Sequence, residues 1–286
     1  MKVYEFIRER SDVSQVRRLC RVLSVSASAY YHWRAHPVSG RARTDARLLE
    51  RIRTIYKTTR GLYGAPRIHD ALVDEGIRCG RKHVARLMQH YNIRAKTVRC
   101  FKTTTRANRG AHLDMDRVQR RFAVDRPNRI WLSDITYIGT REGWVYLAVI
   151  LDLHSRRVVG WELGARLTAD VLMSALQRAL STRRVAPGLI LHSDRGSHYT
   201  CEEVRVLTER HGLQQSFGVS CYDNAVAESF MHTIKTEHIQ FQKFQTRDDV
   251  RQSLFDYIEV FYNRQRKHST LGMKSPVQFE EQHWSP

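Results

Sequence analysis

Residues 130–138 read IWLSDITYI, and this stretch decides the fold. Its β-branched and aromatic residues predict a strand. Two further apolar runs follow at hairpin spacing, at 144–151 after a glycine-containing turn and at 158–163 after a short link. Three strands spaced in this way predict an antiparallel meander.

Helices and short strands alternate after this meander. Helical periodicity marks residues 168–180, 202–211 and a long segment from Asn224, whereas 188–191 and 213–217 read as short buried strands. The resulting order is βββ-α-β-α-β-α. This order predicts an α/β fold in which a mixed sheet is flanked by helices.

Three carboxylates lie where a purely structural acid would be unfavourable. Asp134 lies in the middle of an apolar strand, where burial costs several kcal/mol unless the group is paired or bound to metal. Asp194 ends a buried strand, and Glu228 lies in the first turns of the helix from Asn224. Each acid alone also fits a cap, a turn or a helix-terminus charge. Together they form an all-oxygen ligand set of the kind that selects Mg²⁺ or Mn²⁺.

A cation follows these acids on the predicted helix. Lys235 lies seven positions after Glu228, which is close to two full helical turns, so the two side chains share a face. Lys235 either holds a DNA phosphate beside the acids or is exposed to solvent, and the spacing alone does not distinguish the two.

Basic residues are concentrated in the N-terminal part of the chain. The formal net charge is +19; residues 1–121 hold 28 Lys and Arg against 10 Asp and Glu, whereas residues 122–286 hold 20 against 19. This asymmetry predicts that the N-terminal part binds a polyanion. Nucleic acid is favoured over an acidic membrane surface, because the charges fall among helix-turn-helix patterns and not on one amphipathic stripe.

The basic part contains two predicted helical units. Residues 14–23 and 27–35 form either a helix-turn-helix or a plain helical hairpin. The second unit has an apolar-striped helix, the turn 61–64, a helix that begins at Pro66 and a last helix at 81–91.

The last helix of the second unit resembles a recognition helix, whose N-terminal end enters a DNA groove. Its polar face carries Arg81, Lys82 and Arg86, which we predict to contact DNA. The alternative is a solvated basic face.

The five cysteines are scattered and include no Cys-x-x-Cys pair, which fits a reducing cytosol. A zinc site would have to combine Cys79, His83, His90 and Cys100, whereas structural zinc sites normally use closer ligand pairs. The sequence has no long apolar run, and its first ten residues are charged. We therefore expect a cytoplasmic protein that has no contact with a membrane.

Two C-terminal features complete the pattern. The helix after Thr246 is amphipathic and is predicted to pack on the core. The basic residues beyond it either touch DNA or form a solvated helix end; they are Arg264, Arg266, Lys267 and His268.

Five stretches carry a resemblance to a known family. They are RGLYGAPRI at 60–68, WLSDITY at 131–137, HSDRGS at 192–197, YDNAVAESF at 222–230, and the segment from Phe261-Tyr262-Asn263 through His268 to Ser275-Pro276. In this order they resemble the transposases of insertion sequences of the IS-three type, and more closely their second-frame (OrfB-type) product, which has a retroviral-integrase-like core. The resemblance covers nearly the whole chain.

This resemblance implies a ribonuclease-H-like fold and a DDE triad, which maps onto Asp134, Asp194 and Glu228. The triad would bind Mg²⁺, with Mn²⁺ as a substitute, as two ions. The family's basic residue two turns after its Glu maps onto Lys235, which would contact DNA. Tyr63 and Arg67, in the first motif, are likewise predicted to contact DNA.

The resemblance also implies an activity and partners. Family members are polynucleotidyl transferases that cut and join DNA at the terminal inverted repeats of the element and at target DNA, through a circular intermediate. Their complete transposase is usually a frameshifted fusion with an upstream product that bears a helix-turn-helix and a leucine zipper. We therefore expect an upstream OrfA-type subunit or fusion, and a homo-oligomer on DNA.

Pattern and resemblance together divide the chain into five segments. These are an N-terminal helix-turn-helix (1–40), a second helix-turn-helix DNA-binding domain (41–95), a basic linker (96–124), a ribonuclease-H-like integrase catalytic core (125–243) and a C-terminal helical extension of the core (244–286). The linker either follows a phosphate backbone when DNA is bound or is simply flexible.

One departure from the family concerns the third acid. Thirty-three residues separate Asp194 from Glu228, two fewer than is usual in the family, and the shortening falls at 217–221. A shift of about 1 Å in a catalytic group costs roughly a hundredfold in rate. A DNA-binding regulator with weakened catalysis, or a nuclease of the same fold, is therefore the alternative to an active transposase.

Overall fold

The structure, a computed structural model, describes residues 2–10, 15–36, 40–96, 116–218 and 221–283. Contacts within the chain divide it into a first unit, Met1–Arg94, and a second unit, Ala95–Pro286. Within the described ranges, no helix is both long enough and apolar enough to span a bilayer.

The described part of the first unit is helical. Its helices are α1 (Lys2–Arg10), α2 (Val16–Val22), α3 (Ala27–Ala35), α4 (Gly40–Thr58), α5 (Ala65–Asp74) and α6 (Arg81–His90). The sequence predicted α2 to α6 but not α1. Helix α1 contributes Ile7 to a small core with Val16, Cys20 and Tyr30. The predicted pair α2–α3 is therefore part of a three-helix cluster.

Helices α4, α5 and α6 pack against one another around the buried residues Ile52, Ile68 and Val84. Helix α5 begins at Ala65, one residue earlier than predicted, with Gly64 at its N-cap and a proline in its first turn. This position suits proline because the first backbone N–H groups of a helix have no intrahelical acceptor.

The zinc alternative finds no support among the described residues. His83 is engaged elsewhere, since its Nε2 lies 2.7 Å from Asp45 Oδ1. Cys100 lies outside the described residues. In the part of the chain that the structure covers, no three His, Cys, Asp or Glu side chains form a group that could hold a metal ion as they stand.

The second unit is built on a five-stranded sheet in the order β3-β2-β1-β4-β5. Its strands are β1 (Ile130–Thr140), β2 (Gly143–Asp152), β3 (Val158–Gly164), β4 (Ile190–Ser193) and β5 (Gln214–Phe217). The first three form the predicted antiparallel meander, and β4 and β5 join β1 in parallel. The predicted mixed sheet is confirmed.

Helices flank this sheet. They are α7 (Ala169–Thr182), α8 (Ser197–Thr200), α9 (Glu202–Arg210), α10 (Ala225–Glu237), α11 (Arg247–Phe255), which continues as a π-helical segment Asp256–Tyr262, and α12 (Pro276–His283). Helix α7 lies very close to β3, because a Cβ on Gly160 would come within 2.2 Å of the Ala175 carbonyl oxygen. Trp131, Leu172, Leu191 and Tyr199 lie in the resulting apolar core.

The C-terminal helices are tied to the sheet by buried polar contacts. The Asn263 side chain accepts from the Val158 N–H and donates to the Val158 carbonyl, each at 3.0 Å. The Glu280 carboxylate of α12 accepts from Ser155 Oγ at 2.6 Å, Arg157 at 2.8 Å and Arg183 at 2.7 Å. The C-terminal segment is therefore part of the second unit's core.

Two of the four basic residues after the π-helical segment fit neither of the two sequence interpretations, whereas Arg264 is exposed and His268 is half-buried. Arg266 and Lys267 are buried, at 6% and 9% exposure, so they form neither a solvated helix end nor an open DNA-binding surface. The Arg266 guanidinium donates to both carboxylate oxygens of Glu237, at 2.7 and 2.6 Å. This pair fixes the C-terminal end of α10.

Candidate active site

Asp134 and Asp194 occupy equivalent positions on neighbouring parallel strands. Leu132 of β1 pairs with His192 of β4, and each aspartate follows its paired residue by two positions. Residues two apart on a strand face the same way, and adjacent strands lie about 4.8 Å apart. The register therefore places the backbones of the two aspartates at neighbouring positions, with Asp134 within β1 and the exposed Asp194 directly after the last residue of β4, where its Oδ1 accepts from the Gly196 N–H at 3.0 Å.

Glu228 approaches this point from α10. The helix packs against β1, and Glu228 lies in its first turn. Asn224, at the N-cap, donates a 2.9 Å hydrogen bond from its side-chain amide to the main-chain carbonyl of Ser133, the residue before Asp134. The start of the helix that carries the third acid is thus attached directly to the strand that carries the first.

The pKa of Asp134 shows that the charges of the other two acids reach it. Burial raises the pKa of Asp134 to about 7, and the negative charges of Asp194 and Glu228 raise it as well. The Ile135 N–H, 2.8 Å from Asp134 Oδ1, and the positive charge of Lys235 act in the opposite direction. Burial also raises the pKa of Glu228. Burial and the neighbouring acids thus outweigh the Ile135 N–H and Lys235, and the protonated form of Asp134 is favoured.

Lys235 is exposed and lies close to an aromatic side chain of β1. Its Nζ is 5.5 Å from the centroid of the Tyr137 ring, and its charge reaches Asp134. The structure therefore brings together all four residues predicted for this site: Asp134, Asp194, Glu228 and Lys235.

A buried hydrogen bond joins α8 to the residue before Asp134. The Tyr199 hydroxyl lies 3.2 Å from Ser133 Oγ. Burial, together with the charges of Asp134 and Asp194, raises the pKa of Tyr199 well above its usual range, so the phenol stays protonated. Helix α8 thereby packs a neutral polar group beneath the two aspartates.

His192 of β4 links its own strand to Ser216 of β5 and to the segment before α10. Burial lowers its pKa, which favours the neutral ring. Its Nε2 lies 3.2 Å from the Asp223 carbonyl and therefore carries the proton, so Nδ1 accepts from Ser216 Oγ at 2.9 Å. Arg120 donates to the buried Asp223 carboxylate at 2.8 Å. Asp223, in the segment just before α10, is therefore fixed by both His192 and Arg120.

The donor chemistry fits a hard divalent cation. Three carboxylates offer only oxygen ligands, the set that Mg²⁺ and Mn²⁺ prefer. Burial, and after it the charges of Asp194 and Glu228, raise the pKa of Asp134, and a bound cation would offset both effects. Asn224 Oδ1 is a buried atom of this region for which the structure shows no hydrogen-bond partner. Across the described residues, the three acids interact electrostatically without converging into a ready-made metal cluster.

Comparison with known families assigns both units. Residues 43–101 match the family model of an HTH-like domain, and residues 124–220 and 228–284 match two family models of an integrase core domain. A protein of insertion element IS600 from Shigella sonnei, described as an uncharacterized 31 kDa protein, is 40% identical over 93% of this chain and 98% of its own length. Transposase InsF for insertion sequence IS3A, from Escherichia coli K12, is 37% identical over 97% of this chain and 98% of its own length.

The chain belongs to the IS3 family of insertion-sequence transposases. Solved structures similar to this transposase include a simian T-cell lymphotropic virus intasome with the PP2A regulatory subunit B56 gamma (TM-score 0.48, 16% identity, 82% of this chain and 74% of that one). Another is the HTLV-2 integrase catalytic core domain with magnesium (TM-score 0.42, 19% identity, 54% of this chain and 97% of that one).

The predicted DNA-contact residues of the transposase differ in their surroundings. Arg81 and Lys82, at the start of α6, are exposed. Arg86 is exposed too, but its guanidinium lies 3.4 Å from Asp45 Oδ2. Tyr63 is only 2% exposed and lies in the core of the first unit, 5.6 Å from the Arg67 guanidinium. The structure therefore gives no support to a direct contact between the Tyr63 side chain and DNA.

The shortened segment before α10 is described only in part. Residues 219–220 lie outside the described residues, as does most of the predicted linker, at 97–115. Helix α10 nevertheless begins at Ala225, and the charge of Glu228 reaches Asp134. In this structure the shorter segment does not separate the third acid from the first.

Sequence reasoning missed two residues that support the site, Asn224 and Tyr199. The sequence pattern identifies Asn224 only as the start of a helix, and nothing in the pattern singles out Tyr199. Each is a polar residue that the structure buries, at 5% and 2% exposure. Asn224 lies inside the motif YDNAVAESF, which indicates that the residue matters, but the motif does not indicate which group the side-chain amide contacts.

Proposed function

We propose that this transposase catalyses metal-dependent DNA cleavage and strand transfer at the ends of its element, with Asp134, Asp194 and Glu228 as the catalytic carboxylates. The observation that carries the proposal is the pairing of β1 with β4, which makes the two aspartates neighbours, together with the charge of Glu228 at Asp134. A buried carboxylate whose pKa is raised by burial and by two further acids is stabilised as the ionised form by a bound cation.

Mg²⁺, with Mn²⁺ as a substitute, is the cofactor that this ligand set favours. When two ions are bound, they activate the attacking water or 3′-hydroxyl and stabilise the leaving oxygen of an in-line displacement. Asp134 must give up its proton to act as a ligand, because a carboxylic acid is a poor donor to a metal. Lys235, two helical turns from Glu228, is placed to hold a DNA phosphate beside the acids.

The first unit supplies DNA binding in this proposal. Its excess of basic residues provides the electrostatic attraction, and the exposed Arg81 and Lys82 at the N-terminal end of α6 are its foremost contacts. Arg67 and Arg86 remain candidate contacts, although Arg86 already has an acidic neighbour in Asp45.

Family membership supports two partners beyond the terminal repeats and the target DNA. One is an upstream OrfA-type subunit, or the same segment supplied by a frameshift fusion, and the other is further copies of this chain on the DNA. Because the substrate is bacterial DNA, we place the protein in the cytoplasm. Co-expression with the upstream product, followed by mass measurement of the complex on end DNA, tests both partners.

The catalytic proposal is tested by strand transfer with Mg²⁺ and DNA that carries the element's terminal repeats. We expect Asp134→Asn, Asp194→Asn and Glu228→Gln each to abolish joining while DNA binding is retained. Glu203→Gln, at an exposed acid of α9, is the matched control and should join as the wild type does. Joining that survives any of the three substitutions would contradict the assignment. Specific end binding without cleavage in the wild type would indicate a regulator, and cleavage indifferent to end sequence a nuclease.

A further inference from the structure

An exposed aromatic pair lies beside the candidate active site. Tyr137 and Trp144 are 59% and 56% exposed, in the part of the β1–β2 hairpin that extends beyond the pairing of β1 with β4. Their rings meet edge to face, with centroids 5.0 Å apart and an interplanar angle of 89°. This geometry leaves broad ring surface facing solvent.

The pair is connected to the catalytic acids through Lys235. Tyr137 follows Asp134 by three residues on β1, and Lys235 Nζ lies 5.5 Å from the Tyr137 ring centroid while its charge reaches Asp134. A DNA phosphate held by Lys235 therefore lies next to both the acids and the aromatic ring. A second cation, Arg247, donates to the Glu142 carbonyl at 3.2 Å, in the turn that leads to Trp144.

Packing accounts for one member of the pair better than for the other. The Trp144 ring covers its cross-strand partner Gly139, since a Cβ on that glycine would lie 3.4 Å from the ring. Covering a glycine in this way stabilises a strand pair. It does not explain why Tyr137 presents an open aromatic face next to a lysine at the end of the catalytic strand.

We propose that Tyr137 and Trp144 form a stacking platform for an unpaired DNA base next to the scissile phosphate. Aromatic rings flanked by cations are the usual means of holding single-stranded DNA, because every base has a π-face and every nucleotide a phosphate. The platform would hold a base displaced from the duplex at the end being cut or joined. This inference rests on the proposed function, because it takes the acid cluster as the place where the phosphate lies.

The test measures binding without catalysis. The full chain, in EDTA, is titrated against a labelled duplex with a short single-stranded 3′ extension and against the same duplex with blunt ends. We expect a preference for the extended DNA that falls about 10-fold in Tyr137→Leu, since stacking of one base contributes on that scale. Tyr137→Phe should keep the preference because it keeps the ring. Phe255→Leu, at another exposed aromatic of the second unit, should keep it too.

A second measurement locates the contact. Photocrosslinking with 5-iodouracil in the extension should label peptides that contain Tyr137 or Trp144. The proposal is overturned if the wild type shows no preference, if Tyr137→Leu retains it, or if all crosslinks fall elsewhere. Trp144→Leu should also reduce the preference, but it uncovers Gly139 and so weakens the strand pair. Thermal unfolding of each variant therefore serves as a control for folding. If Trp144→Leu is unfolded, Tyr137→Leu alone decides the test. Because no metal is present, these outcomes are independent of the strand-transfer assay.

Discussion

The side-chain amide of Asn224 donates to the main-chain carbonyl of Ser133 at 2.9 Å, which joins the start of α10 to β1 one residue before Asp134. This bond connects the helix that carries the third acid to the strand that carries the first. The bond is buried, with Asn224 only 5% exposed, so water cannot easily replace it.

Replacing Asn224 should therefore damage catalysis more than folding. We expect Asn224→Ala to lower the free energy of unfolding by about 1–3 kcal/mol, because a buried carbonyl loses its donor. A displacement of Glu228 by about 1 Å would lower the strand-transfer rate roughly a hundredfold. Single-turnover strand transfer and urea denaturation on the same preparation measure both. A variant with wild-type rate would show that α10 is positioned without this bond.

Stability of the metal-free protein should depend on pH through Asp134. The pKa of Asp134 is about 7 in the folded protein and near its ordinary value of 3.8 when unfolded. The folded state thus binds the proton more tightly, so the free energy of unfolding falls as pH rises from about 4 to about 7 and levels off above that. Asp134→Asn removes this loss and should be more stable than the wild type at about pH 8, by up to about 4 kcal/mol.

Urea denaturation in EDTA at several pH values checks this expectation. Added Mg²⁺ should stabilise the wild type increasingly as pH rises, because metal competes with the proton for Asp134, and should do so much less in Asp134→Asn. Parallel pH profiles for the two proteins in EDTA would show that Asp134 titrates at its ordinary pKa.

The Arg266–Glu237 pair should be necessary for folding stability. Removing one partner of a buried ion pair costs about 3–5 kcal/mol, because the other charge stays buried. We expect Arg266→Met to lose stability on this scale, and Arg266→Lys to rescue little, because an ammonium cannot make the two parallel bonds of a guanidinium. Combining Arg266→Met with Glu237→Leu should recover much of the loss. A cost below about 1 kcal/mol for Arg266→Met would contradict this account.

Salt dependence of DNA binding should identify the contacts of α6. Each phosphate contact contributes about 0.9 to the slope of log affinity against log salt. Replacing both Arg81 and Lys82 with Gln should therefore reduce the slope by about 1.8. The matched control replaces Arg205 and Arg210, exposed on α9 of the second unit, and should change the slope little. Equal effects of the two pairs would mean that net charge, and not the position of α6, controls binding.

Much of the fold could be predicted because its strands are marked by apolar runs. The predicted strands at 130–138, 144–151 and 158–163 lie within two residues of β1, β2 and β3. Helix α1 was missed, because charged residues surround its single fully buried side chain, Ile7. The division into five segments stays a prediction; the contacts separate the chain only between Arg94 and Ala95.

The acids of the candidate site could be predicted from the sequence, but the strand pairing and the buried polar residues around them could not. Asp134 and Asp194 stand out in the sequence because a carboxylate within or just after an apolar strand is unfavourable unless it is paired or bound to metal. Their register depends on which residues of β1 and β4 pair, which no local pattern specifies. The prediction for Tyr63 failed to find structural support, because a tyrosine between turn glycines has the sequence environment of a surface residue.

The bonds of Glu280 also bear on the order in which the two units of this chain fold during synthesis. Ser155 is synthesised 125 positions before the carboxylate that it bonds. At about 5–20 residues per second, that interval lasts roughly 6–25 s. The first unit is complete long before this, so a translating ribosome carries a finished DNA-binding unit attached to an unfinished core. We expect a chain that stops short of α12 to occupy DNA without cutting it, and so to compete with its own full-length product.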